Sequence, residues 1–270
     1  MSYADVNGVS LYYETHGSGQ PLILLHGGLG SGDMYAAIMP ELAKGRQVIT
    51  ADLQGHGHTA DVDRPLRHET MADDVAGLIE QLGLEQADVM GYSLGGATAL
   101  RLAIQHPSLV RRLVLTSVPC RRDGWFPESR AGMDQMGAQQ APMLMQSPVY
   151  DLYSQVAPRV EDFTVLLDKT GDLLRRDYDW SAEIAAITAP VMLVYGDADS
   201  ITPAHIVEFY GLLGGGLRDA NWDGSARSVA RLAILPGRTH YDIFTAAEWP
   251  AAVIPFLDEP SLEPPAPFGF

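Results

Sequence analysis

The stretch Ala87-Asp88-Val89-Met90-Gly91-Tyr92-Ser93-Leu94-Gly95-Gly96 decides the fold. Its first half is an apolar run of strand length. Beyond it Ala97, Leu100 and Ile104 recur at helical spacing until His106-Pro107 stops the helix. Between the two stands Gly-x-Ser-x-Gly, residues 91–95, so the pattern reads strand, tight turn, helix. Such a turn forces Ser93 into a strained backbone conformation and brings neighbouring chain close. Side chains at 91 and 95 would collide there, which explains both glycines. The Ser93 hydroxyl is lifted above the strand end, and a helix N-terminus faces any negative charge that develops beside it.

Similar apolar runs flank this unit on both sides: Leu22 to Leu25, Val48 to Ala51, Leu113 to Leu115, Val191 to Tyr195 and Leu232 to Leu235. Continuous runs of this kind are strands covered by helices on both faces. Asn7-Gly8, which suits a two-residue turn with positive φ at both positions, makes residues 3–6 and 9–15 a β-hairpin. Met71, Val75, Leu78, Ile79 and Leu82 mark a helix that stops before Gly83. Alternating strands and helices predict an α/β fold with a mostly parallel central sheet of about eight strands flanked by helices.

Residues 119–189 interrupt the alternation and carry no buried-strand pattern. Met133, Met136, Met143 and Met145 cluster there with Trp125, Phe126, Tyr150, Tyr153 and Phe163. This segment is expected to form a helical cap inserted after strand 6, its adaptable Met side chains lining an apolar pocket. The core is then residues 1–118 and 190–257, and 258–270 is a Pro-rich tail. Residues 214–225, rich in Gly and Asp, read as a surface loop.

The 270 residues carry 18 Lys plus Arg against 34 Asp plus Glu, a net charge of −16. Such a surface repels phosphate backbones and anionic membranes, so neither nucleic acid nor membrane is an expected partner. A lone cysteine, Cys120, supports no internal disulfide and no cysteine metal site, and reads as a small buried hydrophobe. The first residues show no secretory signal and no run is long enough to span a bilayer, so a cytoplasmic protein is expected.

Ser93 needs a base, and the base a carboxylate to orient it. Of eight histidines, His240 lies past the last strand run, in Pro236-Gly237-Arg238-Thr239-His240, where functional groups of a parallel sheet gather. His26, His56 and His58 end earlier strands and suit loop-tying hydrogen bonds. Two carboxylates, Asp197 and Asp199, follow the run ending at Tyr195, and their spacing leaves both open.

Taken together, His26-Gly27-Gly28, Asp52-Leu53-Gln54-Gly55-His56-Gly57, Gly91 to Gly96, Gly196-Asp197-Ala198-Asp199 and Gly237 to His240 resemble the α/β-hydrolase family. The resemblance runs from about Tyr3 to Leu257. It implies a triad of Ser93, Asp199 and His240, the last position of Gly-x-x-Asp being the acid. It also implies an oxyanion hole of the Leu94 and Gly28 amides, with Leu29 the alternative to Gly28; one such donor is worth about 3–4 kcal/mol of barrier lowering. Leu29, Tyr92, Trp125, Met133, Met136, Met143 and Tyr241 are the candidate pocket residues. One departure is Gln54, where relatives carry Arg, so a loop-tying ion pair is expected to be missing.

These residues predict a serine hydrolase acting on a small, hydrophobic carboxylic ester, a carboxylesterase without metal or organic cofactor. A serine at position 93 argues against epoxide or carbon–halogen cleavage, which use an Asp there. Rival expectations are a cofactor-free perhydrolase and a lyase, for which Arg121, Arg122, Arg130, Arg175 or Arg176 would bind a carboxylate. A third is a ligand-binding module on the same scaffold.

Overall fold

The computed structural model describes residues 2–260, so most of the Pro-rich tail lies outside the described residues. Strands β1 (Ser2–Val6) and β2 (Val9–Gly17) form the expected hairpin, with Asn7 at φ 48° and Gly8 at φ 82° in the turn. Six further strands follow: β3 (Gln20–Leu25), β4 (Arg46–Ala51), β5 (Ala87–Tyr92), β6 (Val110–Thr116), β7 (Val191–Ala198) and β8 (Arg231–Thr239). They form one sheet in the order β1-β2-β4-β3-β5-β6-β7-β8. The pairings of β1 with β2 and of β2 with β4 are antiparallel, and the rest are parallel. The fold is the expected mostly parallel, eight-stranded α/β sheet.

Helices cover both faces. On one lie α1 (Met39–Leu42) and α9 (Glu248–Asp258), packed on Leu22, Leu24, Met90, Val114 and Val194. On the other lie α2 (His68–Gln81) and α3 (Leu94–Gln105), packed on Ile23, Leu25, Val89, Leu113 and Leu115. Successive strand residues thus enter two different apolar layers, which is why the runs are continuous rather than alternating. The last run departs from this. β8 is an edge strand, and Ile234 is 44% exposed, because among the described residues no further strand pairs with it.

After β6 the chain runs through α4 (Pro127–Asp134), α5 (Ala141–Leu144), α6 (Pro148–Val156) and α7 (Phe163–Arg175) before it re-enters the sheet at β7; α8 (Pro203–Leu212) follows β7. The backbone of α7 passes so close to α4's exit that a Cβ at Gly171 would stand 2.1 Å from the Met136 carbonyl oxygen. Arg175 Nη1 donates to the same carbonyl at 2.7 Å, fixing the two helices together. Residues 214–225 form the expected loop between α8 and β8. Among the described residues no helix is long and apolar enough to cross a membrane.

Candidate active site

Between β5 and α3 the backbone turns at Ser93 with φ 52° and ψ −114°, a conformation that L residues avoid. The neighbouring glycines make the turn possible. A Cβ on Gly91 would lie 2.2 Å from the Gly95 carbonyl oxygen, and one on Gly95 would lie 2.3 Å from that of Leu25. The strain is held by backbone bonds on either side, Ser93 N–H to Thr116 O at 3.0 Å and Ala97 N–H to Ser93 O at 2.9 Å.

His240 arrives from the end of β8. Its Nε2 stands 3.1 Å from Ser93 Oγ, and its Nδ1 stands 3.1 Å from Asp199 Oδ1. The Tyr92 hydroxyl donates to the His240 carbonyl at 2.5 Å, and the edge of the Trp125 ring lies against the imidazole, 5.2 Å between centroids. Asp199 is buried and accepts three more hydrogen bonds: Ser117 Oγ at 2.5 Å, the Ser200 amide at 2.7 Å and the Gly196 amide at 3.2 Å. Such donors hold the carboxylate in place and aim it at the imidazole. Asp197 faces elsewhere, accepting from the Gly237 amide at 2.8 Å, so of the two open carboxylates Asp199 meets His240 and Asp197 ties the β7 loop to β8.

Gly28 and Leu94 adjoin; a Cβ on Gly28 would be 3.9 Å from that of Leu94. Both line the cavity above Ser93, and neither backbone amide has an acceptor among the described residues. Fixed, unengaged N–H groups at this spot suit a developing oxyanion.

The cavity encloses about 400 Å³. Of the candidate pocket residues, Leu29, Tyr92, Trp125, Met133, Met136 and Tyr241 line it. Met143 does not. In the four-residue helix α5 only Ala141 is buried, and Met143 is 63% exposed on the outer side. Of the five arginines considered for carboxylate binding, Arg122 alone lines the cavity. Its guanidinium is engaged by the Leu174 carbonyl at 2.9 Å and the Asp134 carboxylate at 2.5 Å.

The loops beneath are tied as expected of His26 and His58. His26 Nδ1 donates to Gly27 O at 2.7 Å while Nε2 accepts from the Leu53 amide at 2.9 Å, and burial lowers its pKa. His58 Nδ1 donates to Asp52 Oδ2 at 2.9 Å, which raises its own. Gln54, where the ion pair of relatives was expected to be missing, ties its loop by hydrogen bonds instead. Fully buried, it donates to Asp61 at 2.9 Å and to Arg64 O at 3.1 Å, and accepts from Arg64 Nε at 2.6 Å. Cys120 is buried, and burial pushes its thiol up to about 11, so it is not a rival nucleophile. Among the described residues no cluster of three or more His, Cys, Asp or Glu side chains is placed to hold a metal ion.

Three contributors escaped sequence reading. Ser117, at φ 54°, follows a strand end, and that position was the available signal. His68 and Thr170, both cavity residues, sit in helices without any motif.

Residues 20–201 match the family model described as the alpha/beta hydrolase fold. A 2-hydroxymuconate semialdehyde hydrolase of Pseudomonas sp. (strain CF600) is 40% identical over 112 residues, 40% of this chain and 40% of that relative's length. The AB hydrolase superfamily protein YisY of Bacillus subtilis (strain 168) is 31% identical over 217 residues, 72% of this chain and 80% of the relative. Among solved structures, the enol-lactonase from Burkholderia xenovorans LB400 superposes with a TM-score of 0.69 at 25% identity, covering 95% of this chain and all of that one. The first of these is named a hydrolase, the second a protein of the AB hydrolase superfamily and the third an enol-lactonase, and the chain spans less than half the length of the first.

Proposed function

The chain belongs to the α/β-hydrolase fold family, and from that membership we propose that it is a serine hydrolase, a carboxylesterase that cleaves a small hydrophobic ester through an acyl-enzyme on Ser93. The observation that carries the reading is the unbroken hydrogen-bond line from Asp199 through His240 to Ser93, opening on a mostly apolar cavity.

His240 Nε2 takes the Ser93 proton as Oγ attacks the carbonyl carbon. The Gly28 and Leu94 amides hold the tetrahedral oxyanion, and Asp199 fixes the imidazole tautomer and steadies its charge. The imidazolium then protonates the departing alcohol. In the second half His240 activates water, which cleaves the acyl-enzyme and restores Ser93. Metal and organic cofactor have no part in this scheme. A lyase that grips a carboxylate is less well supported, since the cavity's arginine is already paired with Asp134.

Initial rates on p-nitrophenyl esters of increasing acyl length, with Ser93→Ala beside the wild type, test the reading. Wild-type turnover should collapse by about 10⁶ in kcat in the variant, and the length profile then sizes the cavity. Equal, near-background rates in both proteins would overturn the esterase and turn attention to peroxide-dependent or lyase substrates.

A further inference from the structure

We propose that Glu128 is a specificity-determining residue of the Ser93 cavity, its carboxylate favouring an ester that carries a positive charge on its alcohol part. The inference rests on the reading of this cavity as an ester site.

Charge around the cavity is unbalanced. Of the Asp, Glu, Lys and Arg side chains, only Arg122 and Glu128 line it. Arg122 is already neutralised: Asp134 accepts from its guanidinium at 2.5 Å, and the Asp177 carboxylate stands 3.6 Å away. Glu128 is exposed to solvent and has no ion-pair or hydrogen-bond partner among the described residues. One cation thus stands against three carboxylates at this end of the molecule. The chain's net charge of −16 adds a field of the same sign, which gathers cations at the entrance and repels anions.

The helix sets where that carboxylate stands. Glu128, Ser129, Gly132, Met133 and Met136 all line the cavity, and their four-residue recurrence puts them on one face of α4 and its exit. That face is polar at its start and apolar at its end. Its start adjoins the base. The Trp125 ring lies 5.2 Å from the His240 imidazole between centroids, and the Phe126 amide donates to Ser200 O at 3.0 Å, one residue past Asp199. Its far end is tied to α7 by the bond from Arg175 to the Met136 carbonyl at 2.7 Å. Glu128 therefore stands at the His240 end of the cavity, and the methionines stand away from it.

The reaction assigns the two ends of the ester to the two ends of this face. His240 Nε2 protonates the departing alcohol oxygen, so the alcohol part lies towards His240 and the acyl chain runs towards Met133 and Met136. A lone carboxylate beside the alcohol part lowers the energy of a cation there and raises that of an anion. Tyr241 adds to the preference. It lines the same end at 74% exposure, its ring 5.3 Å from the imidazole between centroids, and an aromatic face attracts ammonium groups.

The test compares choline butyrate with 3,3-dimethylbutyl butyrate, which has the same shape without the charge, with acid release followed by titration. The intrinsic reactivity of each ester is common to all variants, so the ratio of their kcat/KM values is read as it changes. Glu128→Gln should lower the ratio of charged to neutral ester by about two- to fivefold, the worth of one exposed ion pair. Glu128→Lys should lower it further, and added salt should shrink both changes. In parallel, calorimetry should show the choline ester binding more tightly to Ser93→Ala than to the Ser93→Ala/Glu128→Gln double variant. That difference in binding without any turnover would leave the role of Glu128 standing and remove the esterase. A ratio equal in wild type, Glu128→Gln and Glu128→Lys, or a change indifferent to salt, would overturn the proposal, as would equal binding where neither ester turns over.

Discussion

The floor of the cavity and the helices over it are built in opposite ways. In the floor, backbone strands and turns pack at separations that exclude even a methyl group, as Gly91 and Gly95 do around Ser93. Its polar groups are held several times over: Asp199 by three donors besides His240, and Asp52 by the Gly32 and His58 amides and the His58 ring. Over the cavity stand α4 and α7, of 8 and 13 residues, with the 4- and 9-residue helices α5 and α6 between them in the chain, and none of the four is capped by a side chain. Methionines point both inward, like Met133, and outward, like Met143. Chemistry needs atoms fixed to a fraction of an ångström, while an apolar roof needs only to be apolar and to fit.

That contrast governs what could be read from the chain. Close backbone approach demands glycine, and positive φ demands particular residues, so the floor leaves fixed motifs at 26–28, 52–57, 91–96 and 196–199. The sheet was equally legible, because strands buried on both faces leave continuous apolar runs. The roof leaves only composition. Met133, Met136 and Met143 look alike in sequence, and a helix of four residues presents no periodicity to sort them. Edge position is likewise invisible in a run such as Leu232 to Leu235, since it depends on the absence of a neighbour. His68 and Thr170 could not be found at all, because a polar residue in an amphipathic helix ordinarily means solvent.

The sharpest way to break the comparison is inside one floor loop, where two carboxylates stand two residues apart. Asp199→Asn removes the group that orients His240 and should lower kcat by about 10⁴ with little change in KM. Asp197→Asn loosens only the tie to the Gly237 amide and should cost less than about tenfold. Equal losses in steady-state kinetics would mean that the loop responds as a unit and that the precision ascribed to single atoms is misplaced.

Glycines test the packing itself. Gly95→Ala drives a methyl group into the Leu25 and His26 carbonyls and should destabilise the fold by more than about 3 kcal/mol, or prevent folding. Gly132, in α4 of the roof, has nothing within 4 Å of the position a Cβ would take, and its φ is not in the left-handed region. Gly132→Ala should therefore stabilise by up to about 1 kcal/mol through helix propensity. Urea unfolding of both variants decides it, and a loss in each would show the roof to be as tightly fitted as the floor.

A last test sharpens the comparison through pH. His56 in the floor and His68 in the cavity wall are both buried, and burial is the first cause that pushes each down to about 3. In the unfolded chain each titrates near 6.5. Above that value both states are neutral, and neither histidine makes stability depend on pH. As pH falls below it the unfolded chain takes up the proton and the folded one does not, so stability declines until about pH 3 and levels off beneath it. Each histidine should contribute a slope of about 1.4 kcal/mol per pH unit. His58 contributes no slope there, because its bond to Asp52 raises its pKa and both states hold the proton over the lower part of this range. His56→Gln and His68→Leu should each flatten the stability profile between pH 5 and 6 by one such increment. The difference from wild type cancels the carboxylates common to all three proteins. A smaller increment for His68 than for His56 would mean that water reaches the cavity wall but not the floor, and that the two regions differ in dryness as they do in packing.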